Sequence, residues 1–326
     1  MATLTNMMRP SSRPEELRPF EVHRDLAQVA DLVEQCFADT LDPDGERYLQ
    51  QMRSAARNPG FLGWASAASD WASVPLTGYV WEHSGRLVGN ISLIPFLIKG
   101  RRFYLIANVA VHPDYRRQGI AHSLTVEAVE HARRRGAPSV WLHVRENNTP
   151  ALHLYRELGF EERARRTTWY TQDGLPLGPI PPGLQVTARR PSHWPQQARW
   201  LKQLYPPELT WHLPINLSVL RPGLIGAFSR ILSGSFITQW SALRNGKLRG
   251  VLAWQSSRGF ADTLWLAAPE ENEESASLAL LLHARRRLSS HRPLSLDYPA
   301  HQAEQAITAA GFYPHQTLIW MELSLK

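Results

Sequence analysis

Cysteine occurs once in the chain, at Cys36, so an internal disulfide framework is excluded. Cys36 follows Leu32 and Val33 at helical spacing and reads as a buried thiol in a reducing cytosol rather than a nucleophile. No apolar run reaches the eighteen or so residues that a membrane-spanning helix requires. Residues 1–14 lack the apolar core of a signal peptide and read as a polar, loosely ordered lead-in, so a cytoplasmic location is expected. Acidic residues are in deficit, 29 against 36 Lys and Arg, which leaves a formal charge of +7. The excess suits an anionic ligand or nucleic acid. The arginines are dispersed, however, over 133–135, 163, 165–166, 189–190 and 285–287. No known nucleic-acid motif accompanies them, so a solvated basic surface is expected.

What is present is a soluble globular composition, 43% hydrophobic and 20% charged over 326 residues. That length suits two domains of about 150 residues, each able to bury a core. The most informative stretch runs from Leu105 to Phe160. Leu105 to Val111 reads as a buried strand, His112 to Tyr115 follows, and Arg116-Arg117-Gln118-Gly119-Ile120-Ala121 forms a basic turn bearing glycine. A helical pattern covers about His122 to Arg135, ended by Gly136-Ala137-Pro138 as Gly and Pro should end it. Val140 to Val144 reads as a second strand, and Arg145 to Asn148 leads into a short helix ending at Leu158-Gly159-Phe160.

A strand, a basic glycine turn and a helix make a phosphate seat. The first helical turn has N–H groups without intrahelical partners, and its dipole favours an anion. Gly119 permits close backbone approach, and Arg116 and Arg117 add charge. An ordinary strand-to-helix turn with solvated arginines is the competing reading of the turn alone.

Two motifs decide between them. Arg116-x-x-Gly119-x-Ala121 resembles the (Gln/Arg)-x-x-Gly-x-(Gly/Ala) loop of the GCN5-related N-acetyltransferase (GNAT) superfamily. Asn148-x-x-Ala151-x-x-Leu154-Tyr155-x-x-x-Gly159-Phe160 resembles its second motif at the usual distance. The resemblance covers about Leu17 to Tyr170. It implies an α/β (α+β) fold, a mixed and mostly antiparallel sheet flanked by helices, with acetyl-coenzyme A as donor and a primary amine as acceptor. It further implies that the amides of Arg116, Arg117, Gln118, Gly119, Ile120 and Ala121 cradle the pyrophosphate. Val109, Ala110 and Val111 would pair with the pantetheine arm and polarise the carbonyl, with Asn148 also on the coenzyme side. No metal is implied. Trp64, Trp71 and Tyr79 are candidates for one wall of the acceptor site, with ordinary core packing as the alternative.

Tyr155 falls where the family places its general acid; packing between helix and sheet is the alternative. The base is open. Many relatives carry an acid just before the Val-Ala-Val segment, where this chain has Ala107-Asn108. Val140 to Asn148 resembles the matching strand of bacterial ribosomal-protein-alanine acetyltransferases, which have a glutamate base at the position of His143. An imidazole of pKa about 6.5 suits proton abstraction at neutral pH. Glu82, His112 and a water held by Asn108 are the reserves. The absent acid also leaves open a non-catalytic acyl-coenzyme A sensor or scaffold.

Around this stretch the pattern predicts a strand over Glu16 to Val22, a helix capped by Asp25 and running to Phe37, and a helix from about Gly45 to Ala56. A hairpin turning at His83 to Arg86 and a strand over Arg163 to Tyr170 are also predicted. Gly174 to Gly183, rich in Pro and Gly, reads as a linker. The expected division is therefore an acetyltransferase domain over 15–172, a linker over 173–183 and a second domain over 184–326.

The second domain looks like a copy of the first. His131-Ala132-Arg133-Arg134-Arg135 recurs as His283 to Arg287, and Gly159-Phe160 as Gly311-Phe312, both 152 positions on. Ser84-Gly85-Arg86-Leu87-Val88-Gly89 is echoed by Asn245 to Gly250, and the Val109 to Pro113 segment by Leu266 to Pro269. Several matches in one order argue for duplication, hence two tandem GNAT-like domains. Pro113 to His131 spans 18 positions but Pro269 to His283 only 14, and the second copy carries Glu270, Glu271, Glu273 and Glu274 there. Four carboxylates oppose a pyrophosphate by several kcal/mol at close range. The second copy is expected to have lost coenzyme binding and to support the first or shape its cleft. A monomer or homodimer is expected.

Overall fold

A computed structural model describes residues 16–57, 77–98, 100–172, 174, 176–210, 213, 217–224, 226, 228–229, 234, 236–257, 259–269, 274–288 and 292–325. These divide into two compact units. Unit 1 holds 1–143, 153–161 and 322–326; unit 2 holds 144–152 and 162–321. Trp64, Trp71 and Glu270 to Glu273 lie outside the described residues.

Unit 1 is a sheet of β1 (Glu16–Pro19), β2 (Gly78–His83), β3 (Arg86–Ile98), β4 (Arg101–Val111) and β5 (Ser139–Arg145), adjacent in that order. All neighbours are antiparallel except β4 and β5, which run parallel. Helices α1 (Val22–Phe37) and α2 (Pro43–Arg57) bring Leu26, Val29, Val33, Leu49 and Met52 together with Val80 and Leu87 in one core. Each large aliphatic side chain so buried contributes about 1.5–3 kcal/mol. The helix α3 (Ile120–Arg134) lies close on β3. A Cβ on Gly89 would stand 2.8 Å from Ile120 Cγ2 and 3.1 Å from Leu124 Cδ1, so only glycine admits that approach.

Asp25 does not cap α1 from outside, because the helix already begins at Val22. Its buried carboxylate instead accepts from the Glu21 N–H at 2.8 Å and from both Nη atoms of Arg18, at 2.7 and 2.9 Å. Satisfied buried charges of this kind fix the entry of the helix onto β1.

Unit 2 is a sheet in the order β12 (Phe312–Ser324), β6 (Glu161–Thr171), β11 (Leu294–Pro299), β10 (Asp262–Ala267), β9 (Lys247–Gln255), β8 (Ile237–Arg244) and β7 (Leu184–Ala188). The last residues of β12 belong to unit 1. Further helices among the described residues include α4 (Thr149–Glu157), α5 (Trp194–Leu204), α6 (Pro207–Thr210), α7 (Glu274–Arg287) and α8 (Glu304–Ala309). The two units are interleaved along the chain, unlike the sequential division at 173–183. Strand β6, expected in the first domain, pairs antiparallel with β11, Tyr170 opposite Ser295 and Arg166 opposite Pro299. A strand joins whichever edge satisfies its backbone groups, and that edge lies over a hundred residues away. No helix among the described residues is long and apolar enough to cross a membrane.

Candidate active site

The site begins where β4 and β5 part. Their pairing covers Tyr104 with Val140, Leu105 with Trp141 and Ile106 with Leu142. Both strands continue beyond it, β4 to Val111 and β5 to Arg145. Val109, Ala110, Val111 and His143 all lie on these continuations.

A bulge bends β4 within this region. Ala110 pairs with Asn90 but Ala107 with Ser92, so β4 carries one residue more than β3. Asn108 takes a φ of 50° there, in the left-handed region that Asn tolerates better than most residues. A buried polar network holds it. The Asn90 amide donates to the Asn108 carbonyl at 2.8 Å. The Asn108 amide donates to Tyr48 Oη at 2.8 Å and reaches Ser92 Oγ at 3.4 Å. Burial raises the Tyr48 phenol to about 12, against the lowering effect of Asn108, so Tyr48 stays protonated. Asn108 is thus a structural pin. Tyr48, Asn90 and Ser92 were not singled out by sequence reasoning; a polar pair inside an otherwise apolar strand was the available signal.

The turn after β4 is shaped for an anion. Arg117 has a φ of 66° and Gly119 a φ of 79° as the residue preceding α3. The first intrahelical bond runs from Ser123 N–H to the Gly119 carbonyl at 3.0 Å. The N–H groups of Ile120, Ala121 and His122 therefore precede the helical ladder. A Cβ on Gly119 would meet nothing within 4 Å, so this face of the turn is open. Arg116, Arg117 and Gln118 are exposed. Arg116 is anchored by its Nε, which donates to the Val111 carbonyl at 3.2 Å. Cys36 Sγ donates to the same oxygen at 3.3 Å. Burial pushes this thiol up despite the neighbouring Arg116, which opposes a nucleophilic role.

The two reserve bases are occupied. Glu82 Oε2 accepts from Arg18 Nε at 3.0 Å and from Arg24 Nη2 at 2.7 Å. His112 is buried; its Nε2 lies 3.0 Å from Arg86 Nη2 and 3.2 Å from Gln35 Nε2, and its Nδ1 accepts from the Asp114 N–H. Both are structural. His143 is half-buried between the buried Leu142 and Val144, as strand alternation requires.

Tyr155 sits on α4, 5% exposed, its ring edge-on to Phe160 at 5.9 Å. Desolvation pushes its phenol well above the ordinary tyrosine value, so it carries its proton at neutral pH, as a general acid must. Asn148 falls in unit 2. Its Oδ1 accepts from the Ala151 N–H at 3.3 Å, and it caps α4. Tyr79 is buried against His131 near the far end of α3 from the turn.

The family profile of the acetyltransferase (GNAT) family matches residues 27–160. Over 68 residues the chain is 43% identical to the [ribosomal protein bS18]-alanine N-acetyltransferase of Escherichia coli (strain K12), covering 21% of this chain and 46% of that protein. It is 30% identical over 176 residues to the mycothiol acetyltransferase of Thermobifida fusca (strain YX), 49% of each chain. The chain thus spans about half the length of these curated relatives. The crystal structure of a GCN5-related N-acetyltransferase from Sphaerobacter thermophilus shares the fold, with a TM-score of 0.58 at 16% identity and 97% of both chains covered. The bulged strand, the open glycine turn and the second motif, in their expected order, all fall within the stretch, residues 27–160, that matches the profile of the acetyltransferase (GNAT) family.

Proposed function

We propose that this chain is an acetyl-coenzyme A-dependent N-acetyltransferase that acylates a primary amine, on a small molecule or a peptide N-terminus, by direct attack on the thioester. The observation that carries this reading is the conjunction at one end of unit 1: β4, bulged at Asn108 and parted from β5, running into the open turn at Gly119. The amides of residues 116 to 121 hold the pyrophosphate, and the arginines supply charge without blocking the turn. The amides of Val109, Ala110 and Val111 pair with the pantetheine arm and polarise the carbonyl. Donors aimed at developing negative charge in a water-poor cleft are worth a few kcal/mol.

His143 takes the proton from the attacking ammonium, and Tyr155 hands its own to the departing thiolate. Glu82 and His112 are held by arginines, so neither is proposed as the base. Thiol release from acetyl-coenzyme A, followed against primary amines and peptides with free N-termini, tests the reaction. Turnover with one of them and none in Gly119→Glu is the expected result; full turnover in that variant sinks the anion seat. A non-catalytic acyl-coenzyme A sensor is the second reading, favoured by Asn108 where relatives carry an acid. Tight coenzyme binding beside negligible turnover with every acceptor supports it.

A further inference from the structure

The far end of α3 carries a separate concavity. Ile120 and His131 stand eleven residues apart on this helix, about 16 Å at the usual rise. There a cleft of about 340 Å³ opens, bordered by Pro19, Phe20, Tyr79, His131, Arg134 and Arg135 together with the backbone at 77–78. Cavities of this size accept a small organic ligand.

Its charge is one-sided. Of the three consecutive arginines, Arg133 pairs with Glu130, and Arg134 pairs with Glu127 at 2.7 Å. Arg135 is exposed and makes no ion pair among the described residues. Among the described residues no carboxylate lines the cleft. The helix C-terminus is the wrong end of the dipole for an anion, but its last carbonyls are already taken. Arg135 N–H reaches those of His131 and Ala132, and Gly136 N–H that of Arg133.

The neutral groups are tied to one another and to Arg134. Arg134 Nη2, which can only donate, is 3.3 Å from Tyr79 Oη, and that oxygen is 3.0 Å from His131 Nδ1. The phenol hydrogen has two acceptors within reach, His131 Nδ1 and the carboxylate of Glu127 that also holds Arg134. Arg135, without an ion pair among the described residues, a hydrogen-bonded phenol–imidazole pair, and a proline and a phenylalanine border one space.

We propose that this cleft is a second binding site, taking a small organic carboxylate with an apolar body. The carboxylate pairs with Arg135 and the apolar part covers Pro19 and Phe20. A single net positive charge beside an apolar surface matches a monoanion better than a phosphate, whose higher charge and hydration would go unmet. The site is independent of the coenzyme seat and of the proposed acetyl transfer.

Calorimetric titration of the full chain with benzoate as probe tests it. The expected result is saturable one-to-one binding, weakened about tenfold in Arg135→Gln, since a charge-assisted contact is lost. Arg133→Gln, whose partner is Glu130 on its own helix, should leave binding unchanged, and so should Gly119→Glu at the other end of α3. Absence of saturation in the wild-type chain overturns the proposal. Equal weakening by Arg133→Gln also overturns it, as it would mean diffuse attraction to a basic surface. Loss in Gly119→Glu would place the probe in the coenzyme seat, and displacement by inorganic phosphate at matching affinity would remove the apolar contribution; either outcome is equally fatal.

Discussion

The hairpin leading into β4 and its counterpart leading into β10 are built alike until one residue separates them. Both turn through two residues of positive φ, Ser84 and Gly85 in unit 1 and Asn245 and Gly246 in unit 2. Both carry a register shift at the matching place, between Trp81 and Glu82 and between Ala242 and Leu243. In unit 1, Asn90 then faces Ala110 and Ser92 faces Ala107. In unit 2, Val251 faces Ala267 and Ala253 faces Trp265, with no extra residue. The duplicated strand has lost its bulge, and the Asn and Ser that flank it in unit 1 are Val and Ala. A bulge leaves backbone groups outside the ladder, and burying them demands partners. Where no ligand uses those groups, apolar residues and a closed ladder are the cheaper solution.

The comparison can be broken or sharpened by substitution. The largest effect is expected from Gly119→Glu, which sets a carboxylate in the proposed anion seat and an L side chain at a φ of 79°. The backbone strain alone costs roughly 1–2 kcal/mol. Calorimetry should find coenzyme binding abolished in a chain that still folds; retained affinity would disconnect the turn from the coenzyme. Next is Tyr155→Phe. Turnover should fall about tenfold or more, the range of a positioned proton donor, with coenzyme affinity nearly unchanged, and an unaltered rate would remove Tyr155 from the chemistry.

Asn90→Val makes unit 1 resemble unit 2 at the decisive position. It strips the Asn108 carbonyl of its buried donor, at a cost of about 1–3 kcal/mol. Denaturant unfolding should register that loss, and coenzyme affinity should weaken with it. A variant as stable and as tightly binding as the wild type would show that the bulge holds itself.

A smaller, shared effect concerns His131 and His283, equivalent in the two copies. Burial, with arginines nearby, lowers both below the ordinary imidazole value of about 6.5. A depressed imidazole means the unfolded chain binds the proton first, so their contribution is complete above about pH 6.5 and declines as pH falls below it. Thermal melts between pH 7 and 5 should lose stability less steeply in the double Gln variant. An unchanged slope would assign the acid limb elsewhere. No effect on coenzyme affinity is expected from Glu274→Lys if, as the sequence predicts, the second copy has lost coenzyme binding; a gain in binding would contradict that.

Much of unit 1 was legible because its signals are local. The predicted helix from about His122 to Arg135 is Ile120 to Arg134, and the predicted one from Gly45 to Ala56 is Pro43 to Arg57. Gly119 and Gly136 mark the ends of α3 in left-handed conformations, which glycine identity alone announces. The proposed site was only partly legible. Nothing near Glu82 in sequence shows that Arg18, 64 positions away, and Arg24 claim its carboxylate. Nothing near Asn108 shows that Tyr48 receives its amide. Tyr79 was grouped with the acceptor wall from its place in the chain, yet it packs on His131, 52 positions on.

The sequence by itself determined the order of strands and helices, the left-handed turn that opens α3, and the paired hairpins of the two copies. These rest on backbone preferences and on interactions within a few residues, where closing a contact costs little entropy. Only the tertiary structure decided that β6 would pair with β11, that a four-residue polar network would hold the bulge in β4, and that Arg133 and Arg134 but not Arg135 would find a counter-charge among the described residues. Such choices depend on which distant groups satisfy one another once water is excluded. A linear pattern carries no record of that competition.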